Sequence, residues 1–239
     1  MPETSPLKPA AKAFSLRTAI ARLRKAVVQW KTPIVTEISQ QMDGSGVSGR
    51  AVAERPFRVL ISTVLSLRTK DETTRAASNR LFALADSSQA ILAIGEKTLA
   101  KTIYPVGFYN QKAKQIRAIC RRLLDECGGA VPDDLDALLT FPGVGRKTAN
   151  LVLTRGFLKP GICVDTHVHR ISNRWGYVAT RSPDETEMAL RARLPRAYWI
   201  EYNDLLVTFG QNCCKPVSPH CSTCPLNDLC PRLGVERWR

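Results

Sequence analysis

The 239-residue sequence contains no apolar run long enough to cross a bilayer, which excludes an integral helical membrane protein. Its N-terminus lacks both a continuous apolar core and a small-residue cleavage site, so no secretory signal is expected. No stretch alternates polar and apolar residues at period two, and no segment repeats. Acidic residues are scarce: 21 Asp and Glu face 35 Lys and Arg, leaving a formal charge of +14. That excess sets a positive field over much of the surface, and its commonest partner is nucleic acid. With 44% hydrophobic and 23% charged residues the composition is ordinary for a globular chain, which excludes wholesale disorder.

Eight cysteines are present, and they are not spread as a disulfide framework would be. Cys213, Cys214, Cys221, Cys224 and Cys230 crowd together, while Cys120, Cys127 and Cys163 lie apart. A metal site in a reducing compartment fits this distribution. Cys214, Cys221, Cys224 and Cys230 read C-x6-C-x2-C-x5-C, four thiolates within seventeen residues. Such a set suits zinc or an iron–sulfur cluster, although zinc ribbons usually pair two C-x2-C knuckles and only one stands here.

Helical spacing dominates the chain. Residues 1–15 read as a basic, proline-bearing tail, and Ile20, Leu23 and Val27 as the stripe of a first helix. Gly44–Gly49 reads as a flexible linker. Phe57, Leu60, Ile61, Val64 and Leu65 form the stripe of a buried helix. Asp71 and Asn110 are candidate N-caps. The second opens a helix with Ala113, Ile116, Cys120 and Leu123 inward and Lys112, Lys114, Arg117 and Arg121 on other faces. Ser182-Pro183-Asp184-Glu185 has the form of a capping box. Trp199, Tyr202, Leu206 and Phe209 mark a last helix, ended by Gly210.

Phe141-Pro142-Gly143-Val144-Gly145-Arg146-Lys147 reads as a short helix, a tight turn and the start of a second helix. The glycines permit positive φ and close backbone approach, and the helix start presents free N–H groups suited to one phosphate. An ordinary helix corner would look the same.

The segment LLTFPGVGRKTANLVL resembles the helix–hairpin–helix of the endonuclease III family of DNA glycosylases. Val164-Asp165-Thr166-His167-Val168, with Asp165 eighteen residues beyond Lys147, resembles that family's catalytic-aspartate motif, and the cysteine cluster follows in the family's order. The similarity runs from about Arg55 to the C-terminus. It implies an all-α fold of two helical domains: a central one over residues 49–159, and a second joining residues 16–48 to residues 160–239. It also implies that Cys214, Cys221, Cys224 and Cys230 hold a [4Fe–4S] cluster, leaving Cys213 spare.

The activity implied is that of a bifunctional DNA glycosylase and AP lyase of base excision repair, acting on oxidised pyrimidines. Lys147 attacks the sugar C1′, expels the base and forms a Schiff base, and β-elimination then breaks the strand. Arg146 and partial burial would favour the neutral amine. Asp165 caps the following helix and stabilises oxocarbenium character. Pro142, Gly143, Val144, Gly145 and Arg146 would hold the DNA backbone. The family opens the duplex with two loops, here Ser66–Asp71 and Val106–Lys112, which place Arg68 and Phe108 as candidate DNA contacts, Phe108 as a wedge. Arg68 departs from the family's usual Gln.

An adenine-mismatch glycosylase of the same superfamily is a rival reading, but it would need an acid in the first buried helix, and Phe57–Leu67 has none. A non-catalytic DNA-binding or redox-sensing protein is another, and it needs neither Lys147 nor Asp165. The expected setting is a monomer on damaged or abasic duplex DNA in the bacterial cytoplasm and nucleoid, away from membranes. The basic N-terminus leaves organelle targeting open.

Overall fold

The computed structural model describes residues 14–30, 34–37, 39 and 49–239, with residues 49–53 as backbone only. Among the described residues every regular element is helical. These are α1 (Leu16–Ala26), α2 (Gly49–Ser66), α3 (Asp71–Leu84), α4 (Ser88–Ala93), α5 (Glu96–Ile103), α6 (Tyr109–Cys127), α7 (Leu135–Leu139), α8 (Arg146–Leu151), α9 (Thr166–Arg174), α10 (Pro183–Arg193) and α11 (Trp199–Asn212).

Two apolar cores organise them. In the first, Leu60, Ile61, Val64 and Leu65 of α2 meet Leu81, Ile103, Ile116 and Leu138, all fully buried. In the second, Ala19, Ile20 and Leu23 of α1 join Val168, Ile171, Leu190 and Leu206 around Trp175, which lies against Tyr202 and Phe209. The N-terminal stretch is divided between them: α1 belongs to the second core, whereas Ile34 and Val35 belong to the first. The non-helical segment that follows the helical turn Val152–Gly156 runs along the seam. Ile162 and Val164 enter the second core while Cys163, between them, enters the first. This alternation delivers Asp165 to the boundary between the cores.

The boundary is stitched by polar contacts. Asn203 Nδ2 donates to the Cys163 carbonyl at 3.1 Å, and Arg155 pairs with Asp204. Within the second core's half, Arg22 of α1 binds Asp228 at 2.5 Å and donates to the Pro225 carbonyl at 3.1 Å, fixing α1 to the cysteine-rich loop.

Several local expectations are corrected. Residues 1–13 lie outside the described residues, as does most of the Gly44–Gly49 linker, of which Gly49 opens α2. Phe14, assigned to the tail, stacks on Trp175 with ring centroids 5.0 Å apart. Asp71 is the first helical residue of α3 and Lys70 its cap; the acid there favours the positive helix end without capping it. Phe108, not Asn110, caps α6. Lys112 is buried, and Arg117 donates to the Ile91, Leu92 and Ile94 carbonyls at the end of α4. Gly210 does not end α11. A Cβ there would sit 2.3 Å from His167 Nδ1, so this glycine permits close helix contact inside the helix.

Candidate active site

Lys147 is the second residue of α8 and Asp165 the N-cap of α9, so the start of one helix faces the start of the other across the seam. Asp165 Oδ1 accepts from the backbone N–H of His167 and Val168, both at 2.9 Å. That doubly anchored cap fixes the carboxylate rotamer and leaves Oδ2 turned to Lys147, 3.9 Å from its Nζ. The carboxylate is 10% exposed and the lysine side chain 46%. An amine reachable by a large substrate therefore stands beside a preorganised negative charge.

The turn before α8 is built for close approach. Gly143 has φ +69°, and a Cβ on it would meet Gln115 Nε2 at 2.3 Å. That amide donates to the Pro142 carbonyl at 3.0 Å, bracing the turn from α6. Gly145 caps α8 with no side-chain hydrogen bond, and the space beside its Cα is open. Val144 points inward and is buried, so of the turn it is the backbone, not this side chain, that faces outward. Arg146 does not stand free beside Lys147: Glu187 of α10 holds its guanidinium through two contacts of 2.8 and 2.6 Å.

Glu187 was not singled out from the sequence. Its side chain is 3% exposed and is also reached by Arg191 at 2.9 Å and by Asn150 Nδ2 at 3.3 Å. Burial pushes its carboxyl up, but the hydrogen bonds from Arg146 and Arg191 outweigh this and hold it below the ordinary glutamate value. The available signal was the i,i+4 pairing with Arg191, which in sequence looks like a surface ion pair. Gln115 left no signal.

A polar pocket opens on one side of the Lys147–Asp165 pair, lined by Ser66, Asp71, Thr166, His167, Asn203 and Gln211 among others. Burial pushes the imidazolium of His167 below its ordinary pKa, against the opposing pull of the Asp165 carboxylate and with Arg170 adding to the fall. Its Nδ1 lies 3.0 Å from Arg170 Nη2. His169 is structural, 2.7 Å from Thr186 Oγ1. Arg68 and Phe108 come together at the tips of two loops, the guanidinium 5.7 Å from the ring centroid. Phe108 is 57% exposed, so it is not a core aromatic.

The cysteine-rich loop folds around one pocket lined by Cys213, Cys214, Cys221, Cys224 and Cys230, together with Arg174 and Arg232. Arg174 Nη1 lies 3.4 Å from the Cys214 sulfur, and the Leu226 N–H 3.4 Å from that of Cys224. Among the described residues no three His, Cys, Asp or Glu converge tightly enough for a single ion. A cubane's corners are spread wider than the ligands of one zinc ion. Four soft donors around a shared space, with N–H groups aimed at sulfur, therefore fit an anionic iron–sulfur cluster. Cys213 is buried in the second core and donates to the His220 carbonyl at 3.6 Å.

Residues 61–196 match the HhH-GPD superfamily of base excision DNA repair proteins, and residues 214–230 the iron–sulfur binding domain of endonuclease III. The chain is 52% identical to endonuclease III of Thermotoga maritima over 73% of its own length and 82% of that protein's. A solved non-covalent endonuclease III–DNA complex superposes with a TM-score of 0.75 at 31% identity, covering 91% of this chain and 94% of the other. A trapped covalent endonuclease III–DNA intermediate gives 0.70 at 34% identity, covering 83% and 93%. The chain belongs to the endonuclease III family, within the HhH-GPD superfamily of base excision DNA repair proteins. Members of that family are DNA glycosylases with AP lyase activity, and a [4Fe–4S] cluster is the cofactor.

Proposed function

We propose that this chain excises oxidised pyrimidines from duplex DNA through a Schiff base on Lys147 and nicks the strand by β-elimination. The observation that carries the reading is the 3.9 Å approach of Lys147 Nζ to the capped Asp165 carboxylate at the mouth of a polar pocket. The neutral amine attacks C1′ and the base departs with a proton. Ring opening gives the iminium, loss of the C2′ proton follows, and the 3′ phosphate leaves. Asp165 stabilises positive charge at C1′ and relays protons. The backbone at Gly143, Gly145 and Arg146 grips a phosphate, Pro142 sets the turn, and Val144 anchors it from inside. A flipped nucleobase occupies the pocket beside Asp71 and His167.

Incubation with an oxidised-pyrimidine duplex under borohydride should fix protein to DNA, and absence of any adduct would overturn the reading. Asp165→Asn is expected to slow single-turnover excision by about 10²–10³, the scale of losing one aligned electrostatic stabiliser. Asn caps nearly as well as Asp, so the melting temperature should barely move. A collapse of stability with activity retained per folded molecule would make Asp165 purely structural.

Cys214, Cys221, Cys224 and Cys230 hold the cluster in this proposal, and Cys213 does not. When bound, the cluster cross-links four points of the loop and offers an electron-transfer centre. Protein purified without oxygen should carry about four irons per chain. Cys221→Ser should lose them and Cys213→Ser should keep them; the reverse pattern would reassign the ligands.

Arg68 reads the orphaned base in this proposal. Its guanidinium offers donors alone, which suits guanine's paired acceptors and not adenine's adjacent donor. Excision opposite guanine should be favoured by about 1–3 kcal/mol if the contact is bidentate, and Arg68→Gln should shrink that preference. An unchanged ratio would show that Arg68 contacts only backbone.

A further inference from the structure

Lys112 lies in the first turn of α6 yet is 6% exposed. Its ammonium donates to the Leu65 carbonyl at 2.8 Å, to the Leu67 carbonyl, and to Thr69 Oγ1 at 3.1 Å. An ammonium has three protons, and all three are engaged. The Leu65 carbonyl belongs to the last turn of α2, where the helix dipole is negative, and the Leu67 carbonyl lies just beyond that helix end. Thr69 Oγ1 also accepts from the backbone N–H of Gly107 at 3.1 Å. A Cβ on Gly107 would lie 2.6 Å from the Arg68 carbonyl oxygen, so the two loops touch backbone to backbone.

We infer that Lys112 is a positioning residue that locks the loops carrying Arg68 and Phe108 into one rigid unit for duplex opening. This rests on the glycosylase reading above and assigns a task to a lysine outside the reacting pair. Arg68 and Phe108 have φ of +53° and +58°, a region costly for residues with a side chain. Such backbone persists only where its surroundings over-determine it, and the Lys112–Thr69–Gly107 bonds lie directly beneath. Unstacking a base step costs a few kcal/mol, which pushes back on whatever enters the gap. Two separately mobile loops would yield to that push; a pair pinned through one buried ammonium would not. Burial draws the Lys112 ammonium down to a pKa of about 8, which still leaves it mostly charged near pH 7.

The test compares a substrate that must be opened with one that need not be. Lys112→Met keeps the stem and removes the donors. It is expected to slow single-turnover excision from an oxidised-pyrimidine duplex about tenfold or more, and to blunt the fluorescence rise of 2-aminopurine placed beside the lesion. Borohydride trapping on a single-stranded abasic oligonucleotide should stay within about twofold, since no base pair is opened there. Thr69→Val, which removes the shared acceptor with little change of volume, should reproduce the pattern more weakly and serves if Lys112→Met does not fold. Equal slowing on both substrates, or unchanged duplex excision, would overturn the assignment. Failure of wild-type protein to trap on either substrate would instead strike the Schiff-base reading on which it rests.

Discussion

Replacing Lys147 by Gln is expected to abolish the borohydride-trapped adduct while leaving the protein folded and bound to abasic DNA. An amide nitrogen has its lone pair delocalised into the carbonyl, so it cannot form an iminium at C1′. Lys147 is half exposed, and its contact with the protein side chains is the 3.9 Å approach to Asp165. Its backbone carbonyl, which accepts from Cys163 at 3.5 Å, is unaffected by the change. Loss of stability should therefore stay within about 0.5 kcal/mol, as for other surface substitutions. The competing role is a simple phosphate contact. That would lower affinity on all sequences and reduce the salt dependence of binding by about one charge, with trapping retained. Electrophoresis of the reduced mixture, together with binding at two salt concentrations, separates the two. An undiminished adduct in the variant would remove Lys147 as nucleophile.

Much of the helical frame could be read from local rules. The helix after Asp165 was legible from its cap, because Asp165 binds N–H groups of that helix's first turn, whereas the cap that Asp134 gives Leu135–Leu139 emerges only in the structure. The Ser182 box closes as expected on one side, with the Glu185 N–H on Ser182 Oγ at 3.2 Å, but the Glu185 carboxylate reaches the N–H of Arg181. The errors have one physical origin. Polar residues that serve a distant segment look like surface residues in sequence: Lys112, Arg117 and Glu187 sit at helical positions where solvent is the default assumption. Gly210 misled for the same reason, since only the neighbouring His167 explains it. Likewise the pairing of Lys147 with Asp165 could be taken from family resemblance, whereas the seam that creates it depends on residues 162–164 turning alternately into two cores. No local pattern announces that.

Glu187→Gln should cost stability out of proportion to so small a change. The carboxylate is 3% exposed and neutralises Arg146 of α8 and Arg191 of its own helix, while Asn150 of α8 touches both Glu187 and Arg191. Removing its charge leaves two guanidinium groups facing a neutral amide at the junction of the hairpin helix and the second core. Stripping one member from a fully buried pair costs about 3–5 kcal/mol. Arg146 and Arg191 keep 35% and 26% exposure, which lets water screen part of the excess charge. A loss on the order of 3 kcal/mol is therefore expected, or a fall in melting temperature of roughly 6–12 °C for a chain of this size.

The effect carries a pH signature. Because the arginines hold the folded carboxyl below its unfolded value, its stabilisation is fully present above the unfolded pKa of about 4.3 and fades as pH falls through the folded value. The gap between wild type and variant should thus be widest near neutrality and close on acidification. Since α8 carries Lys147, excision per folded molecule should fall as well, with Asp165 still capped by its own helix. Thermal melts of both proteins at pH 7 and near pH 3.5 decide the matter. A difference under about 2 °C at pH 7, or one that does not change with pH, would mean that Glu187 merely fills space between the two helices.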